Sequence, residues 1–272
     1  MNGESVSVRL LKLETNNAFM NMAIDEAIAR LRAKDETVDT LRFYRWNPSA
    51  VSVGYFQNTA EEVNLEMCRE LGVDIVRRMT GGGAVYHDYN GEVTYSLIAL
   101  EGSLGIPNDI MESYEMICGG IVLALRDLGL NAQFKPINDI QVNGKKISGN
   151  AQTRRWGTVL QHGTILVDAD IRTMFKVLKV TKEKISDKLI KSVEERVTTI
   201  NRELNRKIGF EEIAETLERG FQKALRSRLY EDELTEEEKA LAEELYTKKY
   251  TKKEWNLDRP SAKYTRDLEL IL

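Results

Sequence analysis

Two arginines followed by three glycines give this sequence its clearest capacity for chemistry. The run covers Arg77–Gly83, and strand-forming residues precede and follow it. Glycine loses more backbone freedom on folding than any other residue, so three in succession require a reason. Backbone N–H groups without neighbouring Cβ atoms can close around a ligand, often an anion, and Arg78 would add bidentate charge. A hairpin loop that needs positive φ angles is the structural alternative, and the glycines alone favour neither.

Two further groups of polar residues lie in apolar, strand-rich surroundings. Asn138-Asp139 is followed across a tight turn by Lys145–Gly149, and Gln161–Gly163 contains one of the two histidines. Each group also has a structural interpretation: the start of a strand, a solvated turn and a buried, hydrogen-bonded histidine. Taken with the glycine run, however, they supply a phosphate-binding backbone, a guanidinium, a carboxylate for Mg²⁺ and an ammonium. These are the parts needed to activate a carboxylic acid with a nucleotide.

Other chemistries find less support in the sequence. No nucleophile–base pair is recognised, and neither the Walker phosphate-binding loop nor the dinucleotide-binding glycine fingerprint is present. The two cysteines, Cys68 and Cys118, fall in segments with helical periodicity and have no Cys or His at metal-ligand spacing. We therefore expect two buried, inert thiols and no zinc site.

The elements that must position these residues belong to a globular chain. Hydrophobic residues make up 42% of the 272 residues and charged residues 30%, which is typical of a folded domain with a large core. The net charge of −4 argues against non-specific binding to nucleic acid. No apolar run approaches the ~18 residues that span a bilayer, and residues 1–5 lack the layout of a signal peptide. We therefore expect a cytoplasmic protein with neither nucleic-acid nor membrane partners.

Hydrophobic periodicity predicts strands and helices that do not alternate regularly. Strands are predicted at 6–13, 41–46, 51–56, 93–99, 140–142, 145–147 and 158–167, with a hairpin turn at Asn143-Gly144. One helix is predicted to follow a cap at residue 16 or 17, and others are predicted at 61–71, 110–128, 171–178, 182–191, 211–225 and 236–249. Gly72 is the expected C-terminal cap of the helix at 61–71, and Thr235 and Glu238 form a capping-box pattern at the start of the last helix. This order favours a mixed or antiparallel sheet with packed helices. We expect one domain over 1–256 and a poorly ordered tail over 257–272.

The glycine and lysine motifs together resemble those of the lipoate–protein ligase family. The likeness is carried by Arg77–Asp88, by Asn138-Asp139 and by Gly144–Ala151, and it extends from about Met20 to Asn256. The same superfamily contains the octanoyltransferases. The resemblance implies an α+β fold with a mixed, largely antiparallel sheet flanked by helices, similar to the class II aminoacyl-tRNA synthetase and biotin synthetase core.

The activity implied by this resemblance is ATP-dependent ligation. Lipoate or octanoate would be activated to acyl-AMP with ATP and Mg²⁺ as cofactors, and the acyl group would pass to a lysine of a lipoyl domain. The implied acceptors are the acyltransferase subunits of 2-oxoacid dehydrogenases and the glycine-cleavage H protein. Stand-alone bacterial ligases of the family carry a C-terminal accessory domain that this sequence does not match, so a separate accessory subunit is a further expected partner.

The resemblance also assigns roles to individual residues. Lys146 would be the catalytic cation that touches the acyl carboxylate and the phosphate, and Asp139 would help to hold Mg²⁺. The remaining implied contacts with nucleotide or acyl group are Arg78, Gly81, Gly82, Gly83, Ala84, Val85, Tyr86, His87, Asn138, Ser148, Gly149, Ala151 and His162.

Two alternatives to the ligase stay open. Octanoyltransferases of the superfamily use a cysteine nucleophile, either before the His-Gly matched by His162-Gly163 or in a loop before the lysine motif, and neither place holds a cysteine here. On the other hand, Trp46–Pro48, Ser52–Asn58 and Ala151–Arg154 also resemble the octanoyltransferase branch. The first alternative is therefore an acyl transferase that takes octanoyl or lipoyl groups from acyl carrier protein. The second is a non-catalytic partner subunit that binds lipoyl-AMP.

Overall fold

The computed structural model describes residues 7–179 and 195–258, which form two sheets with helices packed against them. The strands are β1 (Ser7–Asn16), β2 (Thr40–Trp46), β3 (Ala50–Val53), β4 (Asp74–Arg77), β5 (Val85–His87), β6 (Glu92–Leu100), β7 (Ala132–Lys135), β8 (Asp139–Val142), β9 (Lys145–Arg155), β10 (Thr158–Leu166) and β11 (Arg228–Glu231). The α-helices are α1 (Ala18–Ala33), α2 (Thr59–Glu62), α3 (Leu65–Leu71), α4 (Ile110–Asp127), α5 (Ile171–Val177), α6 (Ile200–Leu204), α7 (Phe210–Leu225), α8 (Glu236–Leu245) and α9 (Lys253–Asn256). A short 3₁₀ helix covers Ser103–Gly105, and a π-helical turn covers Tyr246–Tyr250.

The larger sheet has the strand order β11-β1-β2-β6-β10-β9-β8-β7. Strand β1 is parallel to both of its neighbours, whereas all pairings from β2 to β7 are antiparallel. In the smaller sheet β3 lies at the centre, parallel to β4 and antiparallel to β5. The predicted mixed, largely antiparallel sheet flanked by helices is therefore confirmed.

Both faces of the larger sheet are covered, and each face has its own hydrophobic core. Successive side chains of a strand point to opposite faces, so Phe43 of β2 joins the core under α4 and α7 while Tyr44 joins the core under α1 and α8.

Within the described part of the chain, no helix is long and apolar enough to cross a membrane.

The glycine run does not form a hairpin. Strands β4 and β5 lie on opposite sides of β3, so the loop between them crosses the end of β3 instead of joining paired neighbours. This crossing brings the loop against Gly54, where an added Cβ would lie 2.0 Å from the carbonyl oxygen of Gly82. The hairpin interpretation is therefore wrong, and Gly54 is required by the close approach of the loop.

Several local signals are confirmed. The side chain of Asn17 caps α1, Gly72 ends α3 in the left-handed conformation, and Thr235 forms a capping box with Glu238. Asn143 and Gly144 both have positive φ angles in the predicted hairpin turn.

Other boundaries differ from prediction. The helix predicted at 61–71 is divided into α2 and α3, because Val63 bridges to Leu178 and Asn64 caps α3. The strand predicted at 51–56 ends at Val53, since the N–H of Gly54 turns to the side chain of Gln57. The helix predicted at 236–249 passes into a π-helical turn after Leu245. The predicted helix at 182–191 and all but two residues of the predicted tail at 257–272 lie outside the described residues.

Candidate active site

A cavity of about 200 Å³ lies between the glycine run and the strands β9 and β10. The glycine run forms one side, the lysine motif of β9 a second, and the inner strands β2 and β6 the back. Its lining residues are Met22, Tyr44, Trp46, Ser52, Arg78, Gly82, Gly83, Ala84, Val85, His87, Thr94, Asn138, Lys146, Gly149, Asn150, Ala151, His162, Gly163 and Thr164. The three groups of polar residues singled out in the sequence thus meet around one space.

Most of the predicted site residues line this cavity, but four do not: Gly81, Tyr86, Ser148 and Asp139. Tyr86 alternates with Val85 and His87 along β5, so its ring packs on the other side, in the core of the smaller sheet. Ser148 is completely buried within β9. The ligand contacts proposed for all the predicted residues stay predictions.

Lys146 lies at the mouth of the cavity and is held by a carboxylate. Its Nζ is 2.6 Å from Oδ1 of Asp139, and their side chains are 42% and 31% exposed. Its stem lies across Gly149, where an added Cβ would come within 2.9 Å of both Cε and Nζ. A glycine at position 149 therefore leaves the space through which the ammonium reaches the cavity.

The Mg²⁺ site predicted at Asp139 can be compared with the arrangement of possible metal ligands around it. Among the described residues, no group of three or more His, Cys, Asp or Glu side chains is arranged to hold a metal ion. Magnesium can be held by one or two carboxylates with substrate phosphates and water, so the magnesium and ATP predictions stay predictions.

Arg78 holds the glycine loop in shape. Its guanidinium donates to the carbonyl oxygens of Gly81 at 2.7 Å and Gly83 at 2.8 Å, and to that of Ser52 at 3.0 Å. Nη1 also donates to Oγ of Ser52 and Nε to Oγ1 of Thr80, both at 3.1 Å. The sequence suggested that the guanidinium of Arg78 would bind a ligand with two hydrogen bonds. In the structure these hydrogen bonds go to the backbone of the glycine loop instead. Burial lowers the pKa of Arg78 to about 10.

The Ser52 triad, consisting of Ser52, His87 and Glu92, borders the cavity. Oγ of Ser52 lies 2.8 Å from Nε2 of His87, and Nδ1 of His87 lies 2.8 Å from Oε1 of Glu92. The imidazole stacks on the indole of Trp46 with ring centroids 4.0 Å apart. Hydroxyl, base and carboxylate are therefore aligned as in a nucleophile–base–orienter arrangement.

The Thr80 triad, consisting of Thr80, His162 and Asp25, repeats the pattern more deeply. Oγ1 of Thr80 lies 2.7 Å from Nε2 of His162, whose Nδ1 is 3.4 Å from Oδ2 of Asp25. Burial lowers the pKa of His162, and the adjacent Asp25 only partly opposes this. Burial would raise the pKa of Asp25, but hydrogen bonding to His162 and the charge of Arg42 outweigh it and leave that pKa lowered. At neutral pH the triad holds a neutral imidazole beside a carboxylate.

Sequence reasoning recognised no nucleophile–base pair, and the two triads correct that conclusion. The hydroxyl and imidazole residues are separated by 35 positions in the first triad and by 82 in the second, and they meet through strand pairing and the loop crossing. Sequence reasoning also missed part of the lining: Met22, Tyr44, Trp46, Ser52, Thr94, Asn150, Gly163 and Thr164. Asn150 and Gly163 lie within motifs that the sequence had already singled out, and Trp46 and Ser52 lie in segments that resemble the octanoyltransferase branch. The other four residues offered no signal.

The two cysteines are unsuited to nucleophilic chemistry. Cys68 lies in α3 and Cys118 in α4, both are buried, and neither lines the cavity. Burial raises the pKa of Cys68 to about 11 and that of Cys118 to about 12. Since a reactive cysteine needs a lowered pKa and access, the expectation of buried thiols is met by the geometry.

Comparisons with known proteins agree on the family. Residues 17–222 match the model of the lipoyl protein ligase A/B catalytic domain. The octanoyltransferase LipM of Brevibacillus brevis is 37% identical over 92% of this chain and 99% of its own length, and that of Bacillus subtilis is 33% identical over 91% and 97%. A bi-partite lipoate protein ligase from Thermoplasma acidophilum superposes with a TM-score of 0.83 at 36% identity, covering 94% of this chain and 98% of the other.

The names of the curated relatives contradict the predicted ATP-dependent ligase. Relatives between 33% and 38% identical carry the name octanoyltransferase, which matches the first alternative drawn from the sequence. The glycine and lysine motifs occur in a superfamily that contains both activities, so the residues that carried the prediction could not separate ligation from transfer.

Proposed function

Because the chain belongs to the lipoyl protein ligase A/B catalytic domain family, we propose that it is an octanoyltransferase. It takes an octanoyl or closely related acyl group from a thioester on acyl carrier protein and transfers it to the side-chain amine of a lysine in a lipoyl domain. The single observation that carries this proposal is the extent of the likeness to named octanoyltransferases, which covers nine-tenths of the chain and reaches 38% identity.

The shape and chemistry of the cavity support an acyl substrate. Met22, Tyr44 and Trp46 supply an apolar inner end, while Lys146 and Asn138 supply polar groups at its mouth. An acyl chain enters a pocket of this kind with its carbonyl group at the polar end, since pockets combine an apolar lining with a few orienting polar groups. The thioester carbonyl then lies within the field of the Lys146 ammonium.

Lys146 has the charge that the reaction requires. When a nucleophile adds to a thioester carbonyl, negative charge develops on the carbonyl oxygen, and a preorganised cation stabilises it most in the transition state. Asp139 holds the ammonium in one place, and Gly149 leaves room for it. The C–S bond then breaks, the amide bond to the acceptor lysine forms, and the amine's proton ends on the carrier thiol.

The acceptor classes drawn from the resemblance remain part of this proposal. The lysine belongs to lipoyl domains of 2-oxoacid dehydrogenase acyltransferase subunits or to the glycine-cleavage H protein. A carrier-bound thioester is already activated, so the proposed reaction consumes no ATP and needs no accessory subunit for adenylation.

The test supplies the purified full chain with unmodified lipoyl domain and either octanoyl-carrier protein alone or free octanoate with ATP and Mg²⁺. We expect octanoylated lipoyl domain, detected by intact mass, from the carrier-bound donor without ATP. A lipoyl domain with its acceptor lysine changed to arginine serves as the negative control. Acylation only from free octanoate and ATP, or from neither donor, would overturn the proposal.

Replacement of Lys146 by methionine tests the role of the ammonium. The side chain keeps its length but loses its charge, so we expect kcat/KM for octanoyl transfer to fall by about 100-fold or more. The partly exposed position of Lys146 makes a large loss of stability unexpected. Lys145→Met, at the neighbouring residue outside the cavity lining, is the matched control and keeps its activity.

A further inference from the structure

We propose that Ser52 is the nucleophile of this transfer and that the reaction passes through an acyl ester on its Oγ. The inference rests on the proposed function, because it names the residue that accepts the acyl group from the carrier thioester. It arises from two observations: neither cysteine of the chain reaches the cavity, and a hydroxyl–imidazole–carboxylate triad borders it.

The geometry of the Ser52 triad is suited to activation of the hydroxyl. Glu92 is fully buried at the start of β6, and its Oε1 accepts from Nδ1 of His87 and from Oγ1 of Thr94 at 2.6 Å. With Nδ1 protonated and facing the carboxylate, Nε2 is the acceptor that faces the Ser52 hydroxyl. The stacked Trp46, which donates from Nε1 to Thr94 at 2.8 Å, holds the ring in this plane.

The charge around Ser52 favours its ionised form. Nη1 of Arg78 donates to Oγ of Ser52 at 3.1 Å, so a guanidinium already points at the oxygen where negative charge develops as the proton leaves. In the described part of the chain, the second carboxyl oxygen of Glu92 is buried and has no hydrogen-bond partner. A buried carboxyl group hydrogen-bonded to Nδ1 stabilises an imidazolium at His87 when it is ionised.

The Thr80 triad is a weaker candidate although its distances are similar. Thr80 is completely buried and does not line the cavity, so a thioester cannot reach its hydroxyl without movement of the loop. Its carboxylate is also engaged elsewhere, since Asp25 accepts from Arg42, Tyr44 and Ser96. Ser52 is the hydroxyl that combines a base at 2.8 Å with a place in the cavity wall.

Both half-reactions balance with His87 as the proton carrier. Oγ of Ser52 forms a bond to the thioester carbonyl carbon, and the hydroxyl proton passes to Nε2 of His87. The C–S bond then breaks. The carrier thiolate takes the proton from His87 and leaves as a thiol. The neutral amine of the acceptor lysine then attacks the ester carbonyl. His87 takes a proton from the amine and returns it to Oγ of Ser52 as the C–O bond breaks and the amide forms.

The experiment traps the intermediate by mixing wild-type chain with octanoyl-carrier protein in the absence of a lipoyl domain. We expect intact mass to show one added octanoyl group, peptide mapping to place it on Ser52, and the oxygen ester to survive neutral hydroxylamine. Addition of a lipoyl domain discharges it. Ser52→Ala forms no adduct and transfers at least about 100-fold more slowly, whereas Ser52→Cys forms an adduct that hydroxylamine removes.

Control variants separate this chemistry from a structural role. The double variant Cys68→Ser/Cys118→Ser and the variant Ser49→Ala, which removes a hydroxyl outside the cavity, still form the adduct. Transfer by the wild type with no adduct, an adduct on any other residue, or full activity in a folded Ser52→Ala would overturn the inference while the proposed function stands. A wild-type chain that transfers nothing from octanoyl-carrier protein refutes the proposed function itself.

Discussion

Arg77 and Arg78 are neighbours of the same type, yet the fold gives them unrelated tasks. The guanidinium of Arg77, which is fully buried, points away from the cavity and donates mainly to backbone carbonyl oxygens of two distant segments. Its acceptors are Gly54, Tyr55, Gln57, Trp255, Asn256 and Asp258, together with Oγ1 of Thr59. The guanidinium of Arg78 turns instead to the glycine loop and the wall of the cavity. Arg77 joins the C-terminal segment to the smaller sheet, and Arg78 organises the site.

The strand explains how two adjacent residues diverge. Successive side chains on a strand point to opposite sides, so the last residue of β4 and the one after it face different surroundings. The backbone strengthens the difference, because Trp255 donates from Nε1 to the carbonyl oxygen of Arg77 and Asn256 accepts from its N–H, both at 2.9 Å. A pair of arginines in a sequence therefore need not share a function.

The two arginines should also differ in their effect on stability. Among the residues that the structure describes, no carboxylate pairs with Arg78. Burial lowers its pKa from 12.5 to about 10, so keeping it charged costs the folded state about 3 kcal/mol. Its hydrogen bonds to the loop offset that cost. A buried charged group with a strongly lowered pKa beside a cavity is typical of a functional site.

The largest effect is expected for Arg77→Met. The substitution leaves several buried carbonyl oxygens without a donor, each of which costs about 1–3 kcal/mol when unpaired, so we expect a loss of about 4 kcal/mol after relaxation. The thermal midpoint should fall by about 10 °C, measured by calorimetry on the purified chain. The Michaelis constants of any folded fraction should be unchanged. A stable Arg77→Met variant would remove the distinction between the two arginines.

Arg78→Met is expected to show the opposite profile. Loss of the guanidinium removes the donors that fix the glycine loop, and we expect kcat/KM for octanoyl transfer to fall by about 100-fold. Stability should change by less than in Arg77→Met, because fewer backbone carbonyl oxygens lose their donor: those of Ser52, Gly81 and Gly83. Transfer kinetics and thermal unfolding measured on both variants give the comparison directly. Equal stability losses with intact transfer in Arg78→Met would contradict it.

The sequence predicted the parts of the fold whose causes are local. Caps at Asn17 and Gly72 and the turn at Asn143-Gly144 depend on a few adjacent residues, and the structure has each where expected. The glycine and lysine motifs were found for the same reason. Predictions failed where a distant contact decides, as at Val63, whose bridge to Leu178 divides the predicted helix.

The triads and the two arginines could not be resolved from sequence for the same physical reason. In an alternating strand Ser52 looks like a solvent-facing residue, but β3 is the central strand of its sheet and Ser52 is only 2% exposed. The acceptors of Arg77 in the C-terminal segment lie about 180 residues away. The glycine and lysine motifs could not decide between ligase and transferase, because they are compatible with both reactions. Other local patterns conflicted: three segments resembled the octanoyltransferase branch, but no cysteine stood where that branch has its nucleophile.

The smallest expected effect is electrostatic and is read at His162. Burial holds the pKa of this imidazole below its usual 6.5, and the charge of Arg78 lowers it further. The unfolded state therefore binds a proton at His162 more readily than the folded state. Above about pH 6.5 this difference costs no stability, and as the pH falls below 6.5 the free energy of unfolding decreases.

Arg78→Met should therefore raise the pKa of His162, and the free energy of unfolding should then fall less as the pH is lowered. NMR titration of the two imidazoles, with His87→Gln for assignment, measures the pKa, and unfolding at pH 7.5 and 5.5 measures the stability. An unchanged His162 titration in folded Arg78→Met would show that the positive charge of Arg78 does not act on the Thr80 triad. The contribution of Arg78 to the Thr80 triad would then be limited to the loop geometry that it maintains.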